Sequence, residues 1–513
     1  MAKEEYVVTV KEDADWKQLH DELVANGIEV TNLKEQNKRN THYNLTESEA
    51  KNIQDDLRVL AVQRKAAGNY ITHQAIQTGN FEKSNADNWG LLRHTSKTNL
   101  YGTAMQDPGV NYNYVLDGTD VDVVIIDSGI QPDHPEFQDA NGVSRVKQIN
   151  WYTESGQSGV QHSNHYSDSN GHGTHVAGTV AGKTYGWAKN ANVYAIKVEE
   201  VDYSGTGITY SDVFDVLIGW HNAKGGSRPT VVNISLGWNV PISTQTSESY
   251  LTDGNLNPLN DTPATGGVYR GTAHTDINGI KFREEYGFQG WMNGTKMNGF
   301  MLGTNRIAGV DTDIKTCVDA GIVFCLAAGN DNNKLVTPDD EDWNNYFTFL
   351  KYGYYWGPVT GDDRLYYMQP GSPNFNAGTQ DTVVPGLYVG ALDVDSHSST
   401  LDRKKDFSST GSAVNIYAAG DKIKSSVPTN STALYSGTSM ASPQIAGMAA
   451  CLLQAHPDWT PRQVTNWFIN NSQDKMYSAG STDWLDTKSL VGGSPRVAYF
   501  PLNGQNVFTI SES

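Results

Sequence analysis

Short, continuous apolar runs recur along most of this chain, separated by stretches with helical spacing. The runs are Val121 to Ile126, Val193 to Val198, Val231 to Leu236, Ile322 to Ala327, Gly386 to Ala391 and Val414 to Ala418. Between them, His175 to Ala181, Tyr210 to Asn222, Asp311 to Ala320 and Ser442 to Ala455 read as helices. A strand buried on both faces has no polar side to show, so unalternating runs predict an α/β fold: a parallel sheet covered by helices on both faces, in three layers. Sheets of this kind bind ligands beyond the carboxyl ends of their strands.

The first 66 residues follow a different rhythm. Tyr6 to Val10 alternates as a strand, and Asp13 to Asn26 carries Trp16, Leu19, Leu23 and Val24 at helical spacing. Ile28 to Leu33 and Thr41 to Leu45 read as strands. Thr46 is placed to cap a helix opening with Glu47-Ser48-Glu49, and Val59 to Gln63 closes the unit. The order β-α-β-β-α-β predicts a small ferredoxin-like α+β domain over residues 1–66. Residues 67–86 mix Gly, Asn, Thr and Gln without periodicity and read as an exposed linker. The α/β domain then occupies 87–500, with 501–513 as a tail.

Composition narrows the function classes. The formal net charge of −19 over 513 residues disfavours nucleic acid or an anionic membrane as partner. Fifty glycines point to many turns. Cys317, Cys325 and Cys451 are too few for a disulfide framework, and their apolar neighbours mark them as small core residues. The N-terminus lacks the apolar centre of a signal peptide, and no stretch reaches the roughly 18 apolar residues of a membrane span. The expected location is the cytoplasm of the producing cell.

The chemistry concentrates at element boundaries. Gly437-Thr438-Ser439-Met440-Ala441-Ser442-Pro443 precedes the apolar run Ile445 to Leu453, which puts Ser439 at a helix N-terminus. There it is either a helix cap or a nucleophile whose own N–H faces the charge it creates. Asp127 ends the run Val121 to Ile126, as a turn former or as a site carboxylate. His172 opens Asn170-Gly171-His172-Gly173-Thr174-His175-Val176-Ala177-Gly178, as a surface cap or as a base. His172 and His175 lack the glutamate of a zinc-protease motif, which argues against a metal there. Asn330 closes Ala327-Ala328-Gly329-Asn330, as a turn residue or as an amide donor to an oxyanion.

With Asp-Ser-Gly, His-Gly-Thr-His-Val-Ala-Gly and Gly-Thr-Ser-Met-Ala-Ser-Pro in this order, the chain resembles the subtilisin-like serine proteases, or subtilases. The resemblance runs from about Trp89 to Tyr499. Asn88-Trp89-Gly90-Leu91 and Thr184-Tyr185-Gly186-Trp187-Ala188-Lys189 are similar to the proteinase K branch. It implies peptide-bond hydrolysis with Ser439 as nucleophile, His172 as base, Asp127 orienting the imidazole, and Asn330 with the Ser439 N–H holding the oxyanion. It further implies that Ser204-Gly205-Thr206-Gly207 and Ser235-Leu236-Gly237 bind a protein or peptide substrate as an added strand. Ala327-Ala328-Gly329 would line the primary specificity pocket. Residues 1–66 are similar to the family's propeptide, so the chain's own N-terminal domain is expected to act as an intramolecular inhibitor, with processing somewhere in 64–88.

The resemblance also brings departures and a metal. Catalysis requires no cofactor in this family, but structural Ca²⁺ is common. The calcium loop found in the His helix of some relatives is absent here. A site of the proteinase K branch matches Pro385 and Leu387 through their carbonyls and Asp393 through its carboxylate. Two insertions, about 241–303 and 335–370, are rich in aromatics. They either pack on the core, or restrict substrate access or dock the protein onto a larger assembly. A structural protein with a silenced subtilase fold, such as one carried in a phage virion, is the second reading. An N-terminal unit that inhibits other proteases is the third.

Overall fold

The computed structural model describes residues 3–33, 38–64, 76–77, 89–99, 114, 116–198, 207–225, 228–237, 239–243, 264–275, 300–304, 308–349, 364–370, 384–395, 398, 401–477 and 488–501. Two compact units emerge. One comprises Met1–Tyr70, Trp238–Thr316 and Val336–Val383; the other comprises Ile71–Gly237, Cys317–Leu335 and Val384–Ser513.

The second unit holds an eight-stranded sheet. Its spatial order is Gln473–Asp474, Arg496–Val497, Ile416–Ala419, Leu387–Leu392, Val323–Ala327, Thr230–Ile234, Asp122–Asp127, Asn192–Lys197. Every pairing is parallel except that between the first two strands. The strand Asp122–Asp127 is buried at all six positions. Because successive side chains point to opposite faces, Val123 and Ile125 lie on one side and Val124 and Ile126 on the other. Both pairs are sealed from solvent, which accounts for the unbroken apolar run in the sequence. Helix Thr438–Ala455 packs across three central strands and against helix His172–Ala181. Gly178 permits that second helix to press close, since a Cβ there would stand 2.2 Å from Ser426 Oγ. All three cysteines are buried free thiols of this unit's core. Burial pushes the Cys325 and Cys451 thiols up, away from reactivity.

In the first unit, residues 4–64 form the expected β-α-β-β-α-β order as an antiparallel sheet. The strand order is Glu29–Asn32, Asn40–Leu45, Glu4–Val10, Val59–Arg64. Helices Asp13–Ala25 and Glu47–Gln54 cover a core of Tyr6, Val8, Leu19, Leu45, Ala50 and Val62, among others. Thr46 caps the second helix in a full capping box with Glu49. Asn40 Nδ2 donates to Gly309 O at 2.7 Å and to Asp313 Oδ1 at 2.8 Å, at the start of helix Ala308–Asp319.

The two insertions meet in one sheet, which their separation in sequence conceals. Strands Thr272–His274 and Ala264–Tyr269 from the first insertion pair antiparallel with Tyr346–Phe349 and Arg364–Tyr366 from the second. Phe347 stacks on Tyr367 at 4.2 Å and Tyr346 meets Tyr366 edge-on at 5.7 Å. These described aromatics pack within the insertion sheet. Trp238 and most of the remaining aromatics lie outside the described residues.

Candidate active site

Asp127 is the last residue of its strand and is wholly buried. Its Oδ1 and Oδ2 lie 2.8 and 3.0 Å from His172 Nδ1. At those distances Nδ1 is the nitrogen that donates to the carboxylate, which leaves Nε2 as the ring's other functional end. His172 opens helix His172–Ala181. Gly173 makes its approach possible: a Cβ there would sit 2.1 Å from Gly129 O and 3.2 Å from Asp127 Cβ.

The loop before His172 is braced by Asp168, whose importance no sequence motif signalled. Asp168 accepts from Gly171 N, Thr174 N, Thr174 Oγ1 and Ser128 Oγ, at 2.6 to 2.9 Å. Burial raises its pKa, while these donors work in the opposite direction. Ser128 Oγ also accepts from Gly173 N at 2.9 Å. Ser128 thereby ties the Asp127 strand end to the His172 helix.

Ser439 is the second residue of helix Thr438–Ala455. Its Oγ donates to Ser235 O at 3.1 Å, and Ser235 Oγ donates back to Ser439 O at 3.0 Å. Asn233 Nδ2 donates to Ser235 Oγ, and Ser442 Oγ donates to Asn233 Oδ1. A buried polar chain therefore fixes the helix start against the exit of strand Thr230–Ile234. Asn330 Oδ1 accepts from Thr438 N and Thr438 Oγ1, both at 2.8 Å. The amide oxygen is thus committed, and the NH₂ end takes the donor role. Thr438, unnoticed in the sequence, also accepts from Gly329 N at 3.0 Å.

Ala327 ends its strand, Ala328 N donates to Val389 O, and Gly329 has a φ of +101° that suits glycine. Ser235, Leu236 and Gly237 follow directly on strand Thr230–Ile234. Gly207 precedes Ile208, which bridges to Val198 beside the Asp127 strand's neighbour. Ser204, Gly205 and Thr206 lie outside the described residues.

The profile of the Subtilase family matches residues 118–484, most of the chain and every residue of this arrangement. The chain belongs to the subtilase family. It is 26% identical over 429 residues to an alkaline serine exoprotease A of Vibrio alginolyticus, covering 84% of this chain and 54% of that one. It is 28% identical over 381 residues to a subtilisin-like serine protease of Cochliobolus lunatus, covering 73% and 51%. The chain thus spans little more than half the length of these relatives. Among solved structures, fervidolysin from Fervidobacterium pennivorans, a keratinolytic enzyme related to subtilisin, matches with a TM-score of 0.51. That match has 16% identity and covers 99% of this chain and 61% of that one, a likeness of fold.

One expectation of this subtilase fails on geometry. Pro385 and Leu387 lie at the start of strand Leu387–Leu392, and Asp393 lies just past its end. Six extended residues span about 20 Å, so these three groups cannot share one ion. Asp393 is instead surrounded by cations: Lys488 Nζ at 2.9 Å, Arg403 Nε at 3.1 Å and Lys405 Nζ at 3.6 Å. Burial works to raise its pKa, but Lys488 and Lys405 outweigh it and hold the carboxylate below its ordinary value. At the strand's start, Asn415 occupies the backbone, with Nδ2 donating to Gly386 O and Oδ1 accepting from Tyr388 N. No calcium is assigned there. Among the described residues no group of three His, Cys, Asp or Glu side chains could hold a metal. His175 is a core residue: it stacks on Tyr435 at 4.3 Å, and burial pushes its pKa down to about 3.

Proposed function

We propose that this subtilase is a serine endopeptidase made with its own N-terminal inhibitory domain. The observation that carries this reading is the buried Asp127–His172 pair, joined through His172 Nδ1 and lying in the same compact unit as a serine in the first turn of a helix. In the reaction, Ser439 Oγ turns from the Ser235 carbonyl toward His172 Nε2, as apo sites commonly tighten on binding substrate. His172 takes the hydroxyl proton as Oγ adds to the peptide carbonyl, and later gives it to the leaving amine. Asp127 stabilises the imidazolium formed. The Asn330 NH₂ and the Ser439 N–H receive the oxyanion, aided by the positive end of the helix dipole. Water then repeats the sequence on the acyl ester. The edges at Ser235–Gly237 and Ser204–Gly207 would hold substrate as a strand, with Ala327–Gly329 lining the side-chain pocket.

The test is labelling of the purified chain with a fluorophosphonate probe, with Ser439→Ala as control, alongside intact mass. Labelling of the wild type alone supports the reading. An unlabelled protein that gains labelling after limited proteolysis removes residues 1–66 also supports it, as a plugged precursor. Failure to label in both states would leave a silenced fold with a structural role.

A further inference from the structure

Asn330, the proposed oxyanion donor, sits between two residues in the left-handed region: Gly329 has a φ of +101° and Asn332 a φ of +50°. Glycine enters that region freely, whereas asparagine does so at a cost and stays only where its surroundings hold it. Thr438 fixes the amide oxygen of Asn330, but the turn from which the side chain springs sets where the amide points. A second segment, 404–413, is laced along that turn by main-chain bonds. Ser409 N donates to Gly329 O at 2.9 Å, Asn332 N to Phe407 O at 2.7 Å, Thr410 N to Asn333 O at 2.9 Å and Leu335 N to Thr410 O at 2.7 Å. Gly411 lets the two backbones close at the far end, since a Cβ there would stand 2.2 Å from Leu335 O. Beyond Leu335 the chain leaves this compact unit, so the lacing supplies the turn's downstream anchor within it.

A buried side chain crosses between the two segments. Lys404 is fully buried, and its backbone bridges Leu392 at the end of strand Leu387–Leu392. Its Nζ donates to Asn332 Oδ1 at 2.8 Å, to Ser408 O at 2.7 Å and to Lys405 O at 3.2 Å. An ammonium carries three N–H groups, and the three oxygens come from both segments. Taking an ammonium out of water is costly, so a lysine sunk beside this turn calls for a reason. We propose that Lys404 is a positioning residue for the oxyanion site. Its ammonium pins the Asn332 side chain, keeps Asn332 in its left-handed turn, and so aims the Asn330 NH₂ at the oxyanion. The inference rests on the endopeptidase reading above and adds to it a residue that acts through Asn330.

Lys404→Met keeps the length of the stem and removes the three donors. Asn332 Oδ1 then loses its ammonium, the turn relaxes, and the Asn330 NH₂ swings off the oxyanion. Such an amide contributes once negative charge has built up on the substrate oxygen, so its loss falls on kcat and spares KM.

The experiment is a double-mutant cycle on the purified full chain, taken in the state in which a fluorophosphonate labels the wild type. Steady-state kinetics on a peptide ester are measured for Lys404→Met, Asn330→Ala and the double variant, with circular dichroism and Tm for each. We expect Lys404→Met to lower kcat about 10- to 10²-fold with KM within about twofold, because a displacement of about 1 Å costs up to that much. In the Asn330→Ala background the same substitution should cost less than about twofold, since the group it aims is gone. A fold loosened in general would lower kcat in both backgrounds alike. Asn332→Gly is the second variant: glycine tolerates the positive φ but offers Lys404 no side-chain oxygen. It should show a smaller loss of the same coupled kind, and it decides the matter if Lys404→Met does not fold. Equal losses in both backgrounds, a change confined to KM, or an unaltered kcat in folded Lys404→Met overturns this inference and leaves the endopeptidase reading intact. A wild type that never labels, before or after removal of residues 1–66, sinks both.

Discussion

Thr438 shows how much of this site depends on a residue that does no chemistry. Its N–H and hydroxyl both hold Asn330 Oδ1, and its hydroxyl also accepts from Gly329 N. Replacing Asn330 with Ala removes the proposed oxyanion donor and should lower kcat by about 10²–10³ with little change in KM. Thr438→Val keeps the shape but frees the amide to rotate. We expect a loss of about tenfold in kcat, the worth of one net hydrogen bond. Steady-state kinetics on a peptide ester checks both, and an unchanged kcat in the Asn330 variant would remove that residue from the mechanism. Asn330 was legible in the sequence because it closes an apolar run; its partner was not, because a threonine after glycine carries no signal until the helix is placed.

Buried histidines contribute acid sensitivity, His94 and His175 with the lowest pKa values among them. Burial pushes His94 and His175 each down to about 3. His94 is neutral with both nitrogens used, toward Ala498 O and Ala419 N. A histidine whose folded pKa lies below its unfolded value near 6.5 binds fewer protons in the folded state. Its stabilisation is therefore complete above about pH 6.5 and is lost as pH falls toward 3, by about 1.4 kcal/mol per pH unit for each ring. Thermal melts of the Ser439→Ala protein should show Tm falling steeply below pH 6.5. A Tm constant down to pH 4.5 would mean that these rings are not held neutral.

At the scale of elements, the helix His172–Ala181 is placed by two glycines more than by its apolar residues. Gly173→Ala would force a methyl carbon to within 2.1 Å of Gly129 O, a backbone atom that cannot step aside. The helix start must then move, and His172 Nδ1 with it. Activity should fall by at least about 10²-fold, since misplacement of about 1 Å costs that much. Circular dichroism should retain the fold. The sequence announced this helix and its candidate histidine, yet the expected start at His175 was three residues late. Gly-His-Gly-Thr carries no periodicity, and only its packing on the Asp127 loop makes it helical.

At the scale of the molecule, residues far apart in sequence are locked by buried charge. Arg93, near the start of the α/β unit, grips Asp402 with its Nε and Nη2, and Asn99 joins them. Side-chain exposure is 1% for Arg93 and 4% for Asp402. Asp402→Asn would leave a buried guanidinium without its counter-charge and should cost about 3–5 kcal/mol, read as a lowered denaturant midpoint. A loss under about 1 kcal/mol would show that water reaches the pair. The Asp393 cluster differs, since its three cations are each part-exposed, so Lys488→Met should cost well under half as much.

The sequence by itself determined the α/β class and the small α+β unit, and it singled out Asp127, His172, Asn330 and Ser439 as candidates at element boundaries. Short apolar runs that alternate with helical stretches fit strands buried on both faces, and chemistry placed at their ends is a local signal. Tertiary structure alone decided the rest. It joined two insertions, 77 positions apart at the nearest ends of their paired strands Ala264–Tyr269 and Tyr346–Phe349, into one sheet. It separated Leu387 from Asp393 by the length of a strand and gave Asp393 to three cations. It set Ile76–Gln77 beside the strand that leads to Ser439. Each of these is a relation between distant segments, fixed by hydrogen-bond register and by which charge lies within reach. Those quantities come into being only when the chain has folded.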